Sequence, residues 1–417
     1  MTETQSKADV VVDAGDVVLA ATAPTGAENY NLITAGGLTL TGSTADAAAT
    51  LNADSLTATS SNVTVNGFGV LNVAKDAAFK TTGTKLDVKA SGAATVAGTA
   101  TFSEGAVLTN AGTATFGNLT LLQGSNESSG KLAVAGALKV GTAETSAKAT
   151  TLTISGDATA KDVEIAGIKN DAGNVTVDGV SAVVAFESVT VGNYSTFALT
   201  NAKTFTASSL TANGGESAGA TVSIAGNGKY VINNLTVGAN DTVTMTSGTL
   251  DLGSVKVTKA ATGDNLTVAG GTVTLGTVEG TGVYKQTAGT LTTDFANVVS
   301  KIESKTEGET TTYTVTKNAN VEVTGTTLNL TGGDSVYEFD AVKQMKTDLA
   351  GNTIKLLDAA IKNGDKNLTT ADLTAVDNYA GASTVDYNLT ATTAVKREIK
   401  VHQLRGLRVH HSLVELL

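Results

Sequence analysis

At 417 residues and a net charge of −11, the chain is only 16% charged and 4% aromatic, while Ala and Val dominate its 41% of apolar residues. The acidic balance repels phosphate backbones and argues against a nucleic-acid partner, and the lack of cysteine excludes disulfides, thiol catalysis and Cys-ligated zinc. A supply of small, often β-branched side chains favours strands, and no apolar run approaches the roughly 18 residues of a transmembrane helix.

Residues 1–30 read as an N-terminal cap or leader segment. "MTETQSKADVVVDAGDVVLAATA" lacks a basic start, and Asp13 and Asp16 interrupt its apolar part, so it is no secretory signal. The chain is then either intracellular or starts after a removed export signal.

Residues 31–330 read as one solenoid rod, uniform in text to about residue 300 and then, in "KIESKTEGETTTYTVTKNANVEVTGTTLNL" (301–330), more charged but still strand-like. Runs with period-two alternation recur: "LTLTG" (38–42), "VTVNG" (63–67), "TLTISG" (151–156), "VTVDG" (175–179), "NLTVG" (234–238) and "GTLDLGSVKV" (248–257). Gly, Asn, Asp and Ser bound each run, the signature of strands and turns. Pieces repeat irregularly: "GTATF" at Gly98 and Gly112, and "GTLDLGSV", "GTVTLGTV" and "GTLTTDF" at Gly248, Gly271 and Gly289. Short strands repeating about every 20 residues predict an all-β fold, a parallel β-helix or β-solenoid. Coils stacked at about 4.8 Å would share an interior of Val, Ile, Leu and Ala and turn Thr, Ser, Asn and Lys to water, giving roughly 15 coils and a rod of about 70 Å. The near-absence of proline agrees, because each coil must donate its N–H groups to the next. Antiparallel β-sandwiches also use short strands, but no unit of about 100 residues recurs here.

Residues 331–395 read as a small helical region that caps a solenoid or mediates assembly. "SVYE" (335–338) fits a capping box, followed by Phe339, Val342, Met345 and Leu349 at helical spacing. "TIKLLDAAIKNG" places Ile354, Leu357 and Ile361 on one helical face, and "TTADLTAVDNYAG" (369–381) reads as a third helix. Between these two, "IKNGDKNLTTAD" (361–372) reads as a plain helix–turn–helix connection that also resembles a degenerate calcium loop, in which Asn363, Asp365, Asn367 and Asp372 are candidate ligands. Ile361 and Lys366 stand where that motif needs Asp and Gly. No cofactor is expected, calcium at this loop being the one alternative. Residues 396–417 form an atypical basic tail that holds every Arg and every His of the chain, and it reads as non-native or as a separate peptide.

No catalytic constellation emerges. The carboxylates are scattered, residues 1–395 contain no arginine to act as a base, and the Gly-rich stretches lack the Gly-Lys-Ser/Thr ending of a phosphate loop. Runs such as "NLTVAGGTVTLGTV" and "GTATFGNLTL" resemble the passenger regions of bacterial autotransporter and filamentous-haemagglutinin-like adhesins over residues 30–330. The resemblance implies a right-handed β-helix displayed on or released from a cell surface. Neither an export signal nor a membrane β-barrel accompanies it here. The expected function is an extracellular structural or adhesive rod that binds a glycan or protein surface. The alternatives are a self-assembling surface-layer or filament subunit, hence a homo-oligomer, and a β-helical carbohydrate-active enzyme.

Overall fold

The computed structural model describes residues 9–12, 17–20 and 31–34 as backbone, and residues 37–45, 48–59, 62–144, 148–215, 218–260, 263–357 and 359–369 with their side chains. The fold is a parallel β-solenoid of about 14 turns in all, with a small mixed sheet near its C-terminal end. The chain divides into two compact units, Met1–Thr267 with Gly280–Gly282, and Val268–Glu279 with Val283–Leu417. Among the described residues, no helix is long and apolar enough to cross a membrane.

In the first unit each coil contributes three short β segments. One ladder stacks short strands from Val17–Ala20 through Leu38–Gly42 and Lys85–Val88 to Thr242–Met245. A second stacks long strands: Ala93–Phe102, Thr113–Leu121, Lys131–Val140, Ala158–Ile165, Val183–Val191, Thr204–Ala212, Lys229–Val237 and Thr249–Val257. Each long strand is two segments joined at a corner. This is explicit at Ala93–Phe102, whose first half pairs with Gly69–Val73 and whose second half pairs with the separate strand Ala77–Lys80. In Thr204–Ala212 the inward residues are Phe205 and Ala207, then Leu210 and Ala212, with the bend at Ser208–Ser209. Period-two alternation restarts after each corner, so the interior receives two side chains per segment.

That interior is thin and aliphatic. Leu86, Leu108, Val163, Val189, Leu210 and Val255 are buried. Rings enter where they can stack: Phe102 pairs with Phe79 in the ladder, centroids 4.4 Å apart and 6° from parallel. Corners stack as tightly as the interior. A Cβ added to Gly117 would lie 2.1 Å from the carbonyl oxygen of Ala97 in the coil before, so only glycine fits there. Farther along, the corner positions Asp162, Ser188, Ser209, Asn234 and Ser254 lie in register. Ser188 Oγ donates to Asp162 Oδ1 at 2.7 Å, and Ser254 Oγ donates to Asn234 Oδ1 at 2.8 Å.

Coil length is set by the turns. Paired Ala114 and Leu132 are 18 residues apart, whereas Leu132 and Ala158 are 26 apart. The strands stay paired on both sides of the corner, with a one-residue shift between Val134 and Ala137, and the rest of the difference falls outside the strands. Where strands diverge, a buried amide fills the gap: Leu108 N–H donates to Asn126 Oδ1 at 2.8 Å, and Asn126 Nδ2 donates to Thr151 O at 3.1 Å. One side chain thus joins three successive coils. The repeated "GTATF" is not a coil repeat. Its first copy ends a long strand at Phe102 and its second begins the next at Thr113, with the phenylalanines on different segments. The "GT" texts at Gly271 and Gly289 are one coil apart, since Thr272 pairs with Thr290.

The second unit corrects two expectations. The expected helix at 353–364 is replaced by the strands Thr353–Leu356 and Ala360–Asn363, either side of a position outside the described residues. Ile354 and Leu356 pair with Leu328 and Leu330, so the open edge of Thr327–Thr331 captures a segment whose local text suits either period. The helix Phe339–Asp348 forms as the spacing predicts and buries Phe339, Val342, Met345 and Leu349, but its N-cap is Glu338 and no side chain caps it, so "SVYE" is no capping box. Val336–Glu338 is instead a strand paired with Ala360–Asn363. The unit also carries an antiparallel hairpin, Val299–Glu307 with Thr310–Lys317, inserted within one coil, and the ladder resumes beyond it with Leu291 paired to Leu328. Beyond Thr369, the predicted helix at 369–381 lies outside the described residues, as does the basic tail 396–417.

A cavity in the first unit's interior should cost far more than the same deletion on its surface. Leu210→Ala should lower stability by about 2–5 kcal/mol in denaturant unfolding, and the outward neighbour Thr211→Ala by under about 1 kcal/mol. Equal effects would show that the interior is not close-packed.

Candidate functional site

Three of the four proposed calcium ligands are described. Asn363 pairs with Lys366 and Lys362 pairs with Asn367 in a tight antiparallel hairpin whose turn is Gly364–Asp365. The segment before them is strand rather than helix, so the flanking helix expected on that side is missing. Asp372 lies outside the described residues. Among the described residues, no group of three or more His, Cys, Asp or Glu side chains converges.

The most regular chemical feature is a face of the first unit's short-strand ladder. Thr150–Ile154, Gly173–Val177, Thr196–Leu199, Thr221–Ile224 and Thr242–Met245 are five successive strands in unbroken register. Their inward residues form two buried columns, Leu152, Val175, Phe197, Val222 and Val243, and Ile154, Val177, Leu199, Ile224 and Met245. Strict alternation turns the intervening residues out. One outward column is Thr151, Asn174, Thr196, Thr221 and Thr242, and the other is Thr153, Thr176, Ala198, Ser223 and Thr244. All ten are half-buried or exposed, and none is charged. Neighbours along a column sit about 4.8 Å apart, and the columns about 6.7 Å apart. β-Branched threonine holds its hydroxyl in few rotamers, so the array is preorganised.

The hydrogen-bonding capacity of this face is unspent. Ala198 apart, each of the ten carries a hydroxyl or amide, and among the described residues none of these nine side chains bonds within the chain, whereas polar residues at the coil corners bond to one another. Charge borders the array. Glu127 precedes Thr153 in its column, and Asp178, just past Val177, accepts from Asn201 Nδ2 at 2.9 Å. Alternation in "TLTISG" and "VTVDG" predicts the strands but not the array. The signal was present as T-x-T, N-x-T and T-x-S spacings, and becomes a surface only once the coils are aligned.

Other polar clusters serve the fold. Asp241 is buried and accepts from the main-chain N–H groups of Gly214 (2.7 Å), Ala220 (2.7 Å) and Gly238 (3.0 Å). Asn265 Nδ2 donates to three carbonyls, of Gly238, Ala239 and Asp241. These side chains line a polar pocket of about 170 Å³ with Asp264, but their own atoms are engaged in holding the turns. In the second unit, burial pushes the Tyr284 phenol far up. Its hydroxyl donates to Gln286 Oε1 at 2.6 Å, and Gln286 Nε2 donates to Ala288 O at 2.9 Å. Tyr337 is pushed up to about 12, chiefly by burial and also by the charges of Asp334 and Asp294, against the Asp334 N–H that donates to its oxygen.

No family model, curated protein or solved structure matches this chain.

The tyrosines make the second unit sensitive to alkali. A phenol whose folded pKa exceeds its unfolded value contributes stability that is intact below about pH 10 and is lost as pH rises through the folded pKa. Tyrosinate absorbance should show Tyr337 ionising near pH 12, after exposed phenols have finished, and Tyr337→Phe should delete that late step. Ionisation of Tyr337 with the exposed group would contradict its burial.

Proposed function

We propose that this protein is an extracellular structural or adhesive scaffold, displayed at a cell surface, that binds uncharged glycan chains through the hydroxyl and amide face over residues 151–244. The observation carrying this reading is the array itself: ten uncharged outward positions on five in-register strands, nine of them bearing hydroxyl or amide groups uncommitted inside the chain. A polysaccharide is a neutral, repeating row of hydroxyls. It can exchange hydrogen bonds with such a face without displacing ions or desolvating charge.

Area favours a polymer over a folded protein. Five strands at about 4.8 Å and five residues at about 3.3 Å make a face of roughly 400 Å², about half of what one partner gives to a standard protein interface. A polymer offsets weak individual contacts by engaging several at once. No tryptophan exists to stack on a sugar ring, so recognition here would rest on hydrogen bonds and modest affinity. The β-solenoid fold also agrees with the resemblance to adhesin passenger regions, and the role is one of binding rather than catalysis.

The reading is tested by co-sedimentation with insoluble neutral polysaccharides and by affinity electrophoresis in soluble neutral and anionic ones. Retention by at least one neutral polymer is expected. Thr176→Lys with Thr221→Lys should weaken it at least tenfold while leaving the melting temperature within a few degrees. Retention by anionic polymers alone, or retention that ignores the double substitution, would refute it.

A further inference from the structure

The hairpin Val299–Glu307 with Thr310–Lys317 stands apart from both parallel ladders as a two-stranded sheet of its own. All of residues 303–312 are exposed, so its distal half projects from the coil that carries it. A two-stranded ribbon with no face buried there has little intrinsic stability. The helix Phe339–Asp348 packs beside Thr310–Lys317. Among the described residues, nothing pairs with the outer edge of Val299–Glu307.

The hairpin's own pairing fixes which main-chain groups face that edge. Glu307 pairs with Thr310 across the two-residue turn Gly308–Glu309, with Gly308 at φ +64°. The residues closing such a turn exchange both hydrogen bonds, and bonded and non-bonded pairs then alternate along the ribbon. Lys301, Glu303, Lys305 and Glu307 therefore turn their N–H and C=O groups toward Thr310–Lys317. Ile302, Ser304 and Thr306 present theirs to the open edge. The charged side chains share one face as a row of alternating sign, with Lys301 Nζ 2.6 Å from Glu303 Oε1 and Lys305 Nζ 2.6 Å from Glu307 Oε1.

We propose that this edge pairs with the same edge of a second copy of the chain, antiparallel about a two-fold axis through Ser304. In that register Ile302 faces Thr306 of the second copy, Ser304 faces Ser304 and Thr306 faces Ile302. The outward groups of all three then meet, giving about six main-chain hydrogen bonds. The intervening positions are non-bonded pairs, where side chains come closest, and there Lys301 meets Glu307 and Glu303 meets Lys305, each pair twice. A slip of two residues one way sets Lys301 against Lys305 and Glu303 against Glu303. A slip the other way sets Glu303 against Glu307 and Lys305 against Lys305. Like charges directly opposite destabilise a ladder, so the strand "KIESKTE" (301–307) is complementary to itself in one register and repelled from its neighbours. The contact is small, so the dimer is reversible and weakens with salt.

Sedimentation velocity of the full chain over a concentration series, at low and high salt, tests this. A mass rising toward that of a dimer, less so at high salt, is expected. Glu303→Lys sets a new lysine opposite Lys305 of the second copy, and Lys305→Glu sets a new glutamate opposite Glu303. Each variant alone should therefore associate at least tenfold more weakly. Their equimolar mixture makes all four pairs opposite in sign and should restore association as a heterodimer. Ser304→Pro removes an outward donor that the hairpin itself does not use, and should also abolish pairing. All three positions are exposed, and unchanged circular dichroism and melting would show that the fold survives. A wild-type chain that stays monomeric at its solubility limit, self-association that ignores these variants, or a mixture that fails to recover would each overturn the proposal. So would a monomer whose Ile302, Ser304 and Thr306 amides are already protected from hydrogen exchange.

Discussion

Each coil of this protein must give its main-chain N–H groups to the carbonyls of a neighbouring coil, and that obligation organises the rest. It holds strands about 4.8 Å apart, a distance at which inward residues of successive coils touch and outward ones form columns. A single coil is too thin to bury anything. Phe102 is buried because Phe79 lies flat beneath it, and Leu210 because Val189 and Leu235 sit on either side of it in the ladder. Small side chains prevail because the space enclosed by three short segments admits two residues from each.

The ladder constrains strands and leaves turns free. Coil lengths of 18 and 26 residues coexist in adjacent turns because only the strands must stay paired, and they do so across a one-residue shift at the corner. Where the obligation cannot be met by backbone, a side chain meets it. Asn126 stands in for a missing main-chain contact between three coils, and Asp241 gathers three orphaned N–H groups at its turn. Removing such a group would leave buried donors unpaired, at about 1–3 kcal/mol each. The threonines of the 151–244 face carry no such duty, which is why their hydroxyls are available to a ligand.

The parallel solenoid was legible in the sequence because alternation, turn residues and scarcity of proline all follow from the same ladder. What escaped was whatever depends on which coil lies beside which. "GTATF" looked like a repeat although its copies occupy different segments, and Thr153 and Thr176 became neighbours only through a 23-residue pairing. The strand at Thr353–Leu356 was misread because Ile354, Leu357 and Ile361 satisfy a helical period, and only the vacant edge at Leu328 and Leu330 decides between periods. Conversely, Phe339, Val342, Met345 and Leu349 were read correctly, since no sheet edge competes for them. The charged run after residue 300 was recognised as strand-like, but nothing local distinguishes a hairpin leaving the ladder from another coil within it.

The hairpin's insertion point has its own meaning. The chain leaves after Val298, travels out and back through Lys317, and Val321 rejoins the ladder opposite Tyr284 as though the detour were an ordinary turn. Closing a loop costs only logarithmically more as it lengthens. The coil therefore behaves as a socket: it registers the two ends of whatever is plugged into it and is indifferent to the contents. A fold of this kind can acquire, exchange or lose appendages one at a time while its frame stays the same, so the frame and the arms it carries are free to evolve on separate clocks.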